Sequence, residues 1–246
     1  SAPRLADDAR LRRQQALAPL QPVGLGVARY LLSAKLRGQA GLLKARFGKL
    51  SEAETIEALA EAVEAGGTVD VCRQLEASAA NAYFGAWAGH PAAAPTFVAK
   101  DRARVPAHWR VYEGRRSILR GSGGNRKAAT PTNAILNYAF SLLEAEAVLA
   151  CQVVGLDPGL GVVHLDAKGR QSMALDVLEP VRPQVEGMVL DLLSRRPFRK
   201  ADSPRTPRAA STSWHPLPTS WPSGCPRWPS ASALGLRRWP TCSARP

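Results

Sequence analysis

The sequence is poor in the residues that staple or cofactor-bind a small fold. Its four cysteines, Cys72, Cys151, Cys225 and Cys242, lie far apart, with no CxxC or CxxxH spacing. That excludes a zinc-ribbon pattern and a disulfide framework, and makes the cytosol the expected compartment. No apolar run approaches the roughly 20 residues of a membrane helix, so no membrane partner is expected. The first residues, Ser1 to Arg13, are charged and have no apolar stretch of the kind a secretory signal needs. Acidic residues are scarce: 20 Asp and Glu face 33 Lys and Arg, a net charge of +13. An excess of that size suits a polyanion, because Lys and Arg gain affinity by releasing counterions from phosphates. A basic protein with no nucleic-acid role fits the charge equally well.

Up to Lys200 the chain reads as helices. Val23 to Phe47 places Leu31, Leu32, Leu36, Leu42 and Leu43 at helical spacing. Ser51 with Glu54 reads as a capping box opening a helix that ends at Gly66-Gly67. A third helix is predicted from Val69 to Ala88. Thr130-Pro131-Thr132-Asn133 opens a long one reaching Val154, stopped by Gly155 and Asp157-Pro158-Gly159. Ser172–Leu178 and Pro183–Ser194 complete the set, and Val162 to Leu165 alone alternates as a strand should. The expected class is mainly α.

The character changes after Lys200. Residues 201–246 are dominated by Pro, Ser, Arg and Trp, with six arginines against Asp202 alone. Proline at that density forbids continuous helix or central strand. The expected organisation is therefore an interdomain linker remnant over 1–20, a helical domain over 21–200 and a disordered tail over 201–246. The tail's mixture, with its many tryptophans, is what GC-rich coding DNA yields when read out of frame.

Three places could carry chemistry. Glu76 shares a helical face with Ala79, Ala80 and Tyr83, and a carboxylate on a packing face must be paired or metal-bound, unless that face is solvated. His164 ends the glycine-rich Gly155-Leu-Asp-Pro-Gly-Leu-Gly-Val-Val-His164, as a ligand or as a satisfied structural residue. Asp176 and Glu179 stand three apart on one short helix and share a face, as a site or as an exposed acidic edge. Two carboxylates and an imidazole without thiolates suit Mg²⁺ or Mn²⁺. Arg115, Arg116, Arg120, Arg126 and Lys127, around the glycines of Gly121 to Gly124, are candidates for holding a nucleic-acid backbone, or form a solvated basic loop.

Four segments in this order resemble the CRISPR-associated endonuclease/integrase that captures new spacers, the first-numbered Cas protein. They are Leu75-Glu-Ala-Ser-Ala-Ala-Asn-Ala-Tyr83, Pro131 to Leu143, Gly155 to His164, and Ser172 to Pro183. The resemblance runs from about Leu11 to Lys200. It implies a metal-dependent DNA endonuclease and integrase, joining a protospacer 3′-OH to the CRISPR repeat by transesterification. It carries the family's metal ligands onto Glu76, His164 and Glu179, with Asp176 as acidic neighbour. It also implies a homodimer, with two dimers bridged by a small ferredoxin-like partner subunit. The departures are Phe140, where the family often has Tyr, the tail after Lys200, and an N-terminal β-rich domain expected to be largely absent before Leu11. Two further readings stand beside the enzyme: a basic helical DNA-binding protein in which Glu76, His164 and Glu179 are structural, and an inactive fragment.

Overall fold

The computed structural model describes residues 8–115, 128, 130–195, 197–199 and 202. Eight α-helices run through them: α1 (Ala9–Leu17), α2 (Pro22–Leu42), α3 (Leu50–Ala65), α4 (Val69–Trp87), the short α5 (Ala99–Arg102), α6 (Pro131–Val153), α7 (Ser172–Leu178) and α8 (Arg182–Arg195). The mainly α class holds. Among the described residues the only β pairing is an isolated bridge between Phe97 and Phe198. The tail from 203 onward, with its frameshift reading, lies outside the described residues.

Local chemistry explains three of the helix starts. Thr130 caps α6 by accepting from the Asn133 N–H at 3.4 Å, with Pro131 in the first turn where its missing N–H costs nothing. Thr68 does the same for α4, accepting from Val71 at 3.2 Å. The capping box expected at Ser51 is not formed. The helix begins one residue earlier, and the Ser51 hydroxyl bonds the Glu52 carboxylate at 2.7 Å instead. Helix α1 lies within residues 1–20, the expected linker remnant. Asp8 caps it, accepting from the N–H groups of Arg10 and Leu11.

Helices α2, α3 and α4 pack around one apolar core. α2 contributes Ala28, Leu31, Leu32, Leu36 and Ala40, whose spacing keeps them on one stripe. Ala53, Ile56, Ala60 and Val63 of α3 meet that stripe, and Cys72, Ala79, Tyr83 and Trp87 of α4 close it. Each buried Leu, Ile or Val contributes about 1.5–3 kcal/mol. A smaller cluster joins α6, α7 and α8 through Leu143, Ala147, Ala174, Leu178 and Val185. α6 is long and apolar enough by length and composition to cross a membrane. Its Leu136, Leu143 and Ala147 are nevertheless packed inside the protein.

The two groups of helices meet where α2 passes the start of α8. A Cβ on Gly38 would lie 2.8 Å from the Pro183 ring, so only glycine permits this approach. That contact brings the middle of α2 against Glu179–Val181, the single 3₁₀ turn between α7 and α8.

Candidate active site

The loop after α6 is shaped by one buried carboxylate. Asp176 of α7 is fully buried and accepts from the backbone N–H groups of Val162, Val163 and His164 at 2.5, 2.9 and 2.9 Å. Its fourth contact is the His164 ring, with Nδ1 2.7 Å from Oδ1. This accounts for the strand expected at Val162 to Leu165 being absent: the N–H groups that would pair with a neighbouring strand are spent on Asp176. Gly161 has no room for a side chain, since a Cβ would lie 2.5 Å from the His164 carbonyl oxygen.

The outer side of the loop is also tied down. The buried Gln15 side chain of α1 donates to the carbonyls of Asp157 and Leu160 at 2.7 and 2.8 Å and accepts from the Asp157 N–H at 2.8 Å. Arg73 of α4 donates to the Val163 carbonyl at 2.5 Å. Pro158 returns its carbonyl to the Met173 N–H, at 2.8 Å, in the first turn of α7. His164 is thus held by its backbone and by one ring nitrogen. Nδ1 lies against Asp176, and Nε2 faces Glu179 Oε1 at 3.7 Å.

Glu76 and Glu179 meet through a residue the sequence reading did not single out. The Lys35 ammonium, on α2, lies 2.5 Å from Glu76 Oε1 and 2.7 Å from Glu179 Oε2. Arg182 pairs with Glu179 Oε1 at 3.0 Å and stacks over the Phe140 ring at 4.6 Å. Burial works against the charge on Lys35, but Glu179 and Glu76 outweigh it and its pKa rises. For Glu179 burial alone would raise the pKa; Lys35 and Arg182 reverse the balance and the net shift is downward. The pair is therefore ionised, a buried charge network of the kind that must be closed to be tolerated.

Glu76, His164 and Glu179 consequently lie together, with Asp176 behind the imidazole. Among the described residues, however, no three His, Cys, Asp or Glu side chains close around one point as a metal ion requires. The donor chemistry fits a hard divalent ion: two carboxylates converging on one cationic position, beside an imidazole whose second nitrogen is fixed by a carboxylate. The position between the carboxylates is held by Lys35 Nζ.

Beside Lys35 opens a cavity of about 480 Å³, lined by Gln39, Glu76, Phe84, Arg115, Arg182 and Glu186 among others. Arg115 donates to the side-chain oxygens of Asn133 and Asn137 at 3.2 and 3.0 Å, and its guanidinium lies over the rings of Phe84 and Phe140. Of the five basic candidates for holding nucleic acid, the structure thus places Arg115 on the cavity wall. Arg116, Arg120, Arg126 and Lys127 lie outside the described residues.

Glu186 is buried in the cavity wall and accepts from the Tyr83 hydroxyl at 2.8 Å. Burial pushes its carboxyl above the ordinary value, against the pull of Tyr83, Arg182 and Lys35. The folded protein holds that proton more tightly than the unfolded chain does. The stabilisation is complete below the ordinary carboxyl range and is lost as pH rises through the raised folded value. Glu186→Gln keeps an acceptor for Tyr83 and abolishes the titration. The variant is expected to gain stability relative to the parent as pH rises from the carboxyl range to neutrality. Urea midpoints across that span check the sign.

Lys35 and Glu186 left a trace in the sequence that went unread. Each is a charged residue on an apolar stripe, Lys35 between Leu32 and Leu36, and Glu186 between Val185 and Val189. Such a residue must find a partner inside.

The family profile described as CRISPR associated protein Cas1 matches residues 1–211. The chain belongs to the Cas1 family. A relative from Archaeoglobus fulgidus, "CRISPR-associated endonuclease Cas1 1", is 34% identical over 206 residues, covering 80% of this chain and 58% of its own length. The chain therefore spans little more than half of that Cas1 relative. Among solved structures, a Cas1 protein from Thermotoga maritima is similar with a TM-score of 0.61 at 20% identity, covering 82% of this chain and 58% of that one. A casposase bound to its integration product is similar with a TM-score of 0.59 at 23% identity, covering 82% and 52%. These two likenesses show a shared fold over about four fifths of this chain.

Proposed function

We propose that this chain carries the catalytic site of a divalent-metal-dependent DNA endonuclease and integrase, which inserts protospacer DNA into the CRISPR repeat array. The observation that carries the reading is the convergence of Glu76 and Glu179 on one cationic position, beside a His164 whose Nδ1 is held by Asp176. Membership of the Cas1 family supports it.

In this reading Glu76, His164 Nε2 and Glu179 hold Mg²⁺ or Mn²⁺, and Asp176 fixes the imidazole. When bound, the ion supplies a Lewis acid that acidifies an attacking hydroxyl and offsets charge on the phosphate. The protospacer 3′ oxygen forms a new bond to phosphorus in the repeat strand as the old P–O3′ bond breaks. The leaving 3′ oxygen takes up a proton, and the attacking hydroxyl gives one to solvent. In the same reading Arg115 and Arg182, which line the cavity, hold the strand by its phosphates. DNA is the substrate at both ends of the reaction. The resemblance adds a homodimer and a small ferredoxin-like partner subunit as the working assembly.

The test is Mn²⁺-dependent cleavage and strand joining on branched DNA, comparing the parent with His164→Ala and Glu76→Ala. Activity in the parent, reduced at least roughly 100-fold in both variants, is the expected result. A second reading, a DNA-binding protein without catalysis, is favoured by Lys35, which already pairs with both carboxylates. It predicts DNA binding with no Mn²⁺ effect on activity or melting temperature in any variant.

A further inference from the structure

Lys35 occupies the position the metal reading needs. Its ammonium touches Glu76 and Glu179 at 2.5 and 2.7 Å, which leaves no room for an ion between those oxygens. It is also almost fully buried, at 4% exposure, so it is part of the packed core and not a surface side chain swung inward by chance. The residues around it offer a second place for the ammonium. Gln39 stands one turn further along α2, and its Oε1 is buried without a hydrogen-bond partner. Buried side-chain oxygens are almost always satisfied, so an orphan one turn from a lysine calls for an explanation. Gln39, Lys35 and the Glu186 carboxylate all line the same cavity. The lysine stem is long and flexible enough to carry Nζ the length of one helical turn.

Resting on the metal-site reading above, we propose that Lys35 is a built-in counter-cation that holds Glu76 and Glu179 together before metal arrives, and withdraws along α2 to Gln39 Oε1 and Glu186 when the ion enters. Charge explains the arrangement. Without a cation between them, the buried Glu179 and the part-exposed Glu76 would repel and splay. Lys35 keeps them in register, so the site is preorganised for the ion. The same attraction must be broken for the ion to bind, so Lys35 competes with the metal. When the ion binds, Lys35 exchanges two carboxylates for the Gln39 amide oxygen and the Glu186 carboxyl group, both on the wall of the same cavity.

The experiment compares the parent with Lys35→Met, which keeps the length and loses the charge. Mn²⁺ affinity is read by electron paramagnetic resonance of the free ion, and melting temperature is measured with and without Mn²⁺. Lys35→Met is expected to melt below the parent without metal, to bind Mn²⁺ roughly 10-fold more tightly, and to gain more in melting temperature when it does. Binding by the variant with none by the parent supports the proposal in its strongest form. Equal or weaker binding by the variant, with the parent binding, overturns the proposal and leaves the metal site standing. Binding by neither overturns the metal-site reading itself.

If Lys35→Met does not fold, Gln39→Leu decides the matter, because it removes the second acceptor and leaves Lys35 between the carboxylates. Mn²⁺ is expected to bind the Gln39→Leu variant several-fold more weakly than the parent. Equal Mn²⁺ affinity in the two proteins overturns the proposal.

Discussion

Asp176→Ala is expected to cost about 3–5 kcal/mol of stability and, in whatever protein remains folded, to reduce catalysis roughly 10–100-fold. The stability figure follows from what the carboxylate holds. It accepts from the N–H groups of Val162, Val163 and His164, and from the His164 ring. Val162 and Val163 are buried, so their N–H groups cannot turn to water once the carboxylate is gone. Each orphaned donor costs about 1–3 kcal/mol. The catalytic figure follows from the ring. Without Asp176 no described residue fixes Nδ1, and Nε2 is no longer aimed at Glu179. Asp176→Asn separates the two effects, since its remaining oxygen serves part of the loop while the imidazole loses its anionic partner. Asn is expected to recover much of the stability and little of the activity. Denaturant unfolding and the branched-DNA assay, run on both variants, measure this. Equal activity in Asn and parent would remove Asp176 from the site's machinery and leave it a loop anchor.

The second large effect is in the core. Trp87→Ala is expected to destabilise the domain by about 3–5 kcal/mol. Trp87 is fully buried at the end of α4, and its ring lies 5.1 Å from Phe47, 5.5 Å from Tyr83, 5.7 Å from Phe84 and 5.7 Å from Tyr112. Those four rings come from the turn after α2, from α4 itself, and from the segment leading towards Arg115. Removing the indole leaves a cavity that no single neighbour can fill. The damage should reach the site, because Tyr83 packs on Trp87 at one face and donates to Glu186 with its hydroxyl. Trp87→Phe is expected to cost much less. Phe keeps an aromatic ring against Phe47, Tyr83, Phe84 and Tyr112 and leaves a smaller cavity. A Trp87→Ala variant with a parental urea midpoint would show that the aromatic cluster does not support the fold.

Some of this molecule could be read from the order of its residues alone. The starts of α4 and α6 are local events, set by Thr68 and Thr130 and by the proline that follows Thr130, and the structure has them where the sequence implies. The apolar stripes of α2 and α4 are likewise legible, because the period of a helix depends only on the chain's own geometry. The mainly α class and the family follow from such patterns and from four motif segments.

Other features were settled by distance through space. Ser51 had the residues of a capping box, yet the Glu52 carboxylate took its hydroxyl and the helix began at Leu50. Val162 to Leu165 alternates like a strand, but Asp176 captured its N–H groups. Gln15, in a segment expected to be a linker remnant, reaches a loop 142 residues away. Lys35 lies 41 residues before Glu76, with which it pairs. The composition assigned charge to the chain as a whole; only the approach of α2 to α8, allowed at Gly38, decided that this one charge would be buried between two carboxylates. Local propensity acts over a few residues, whereas the cost of an unpaired buried charge is resolved by whichever partner the packing brings near.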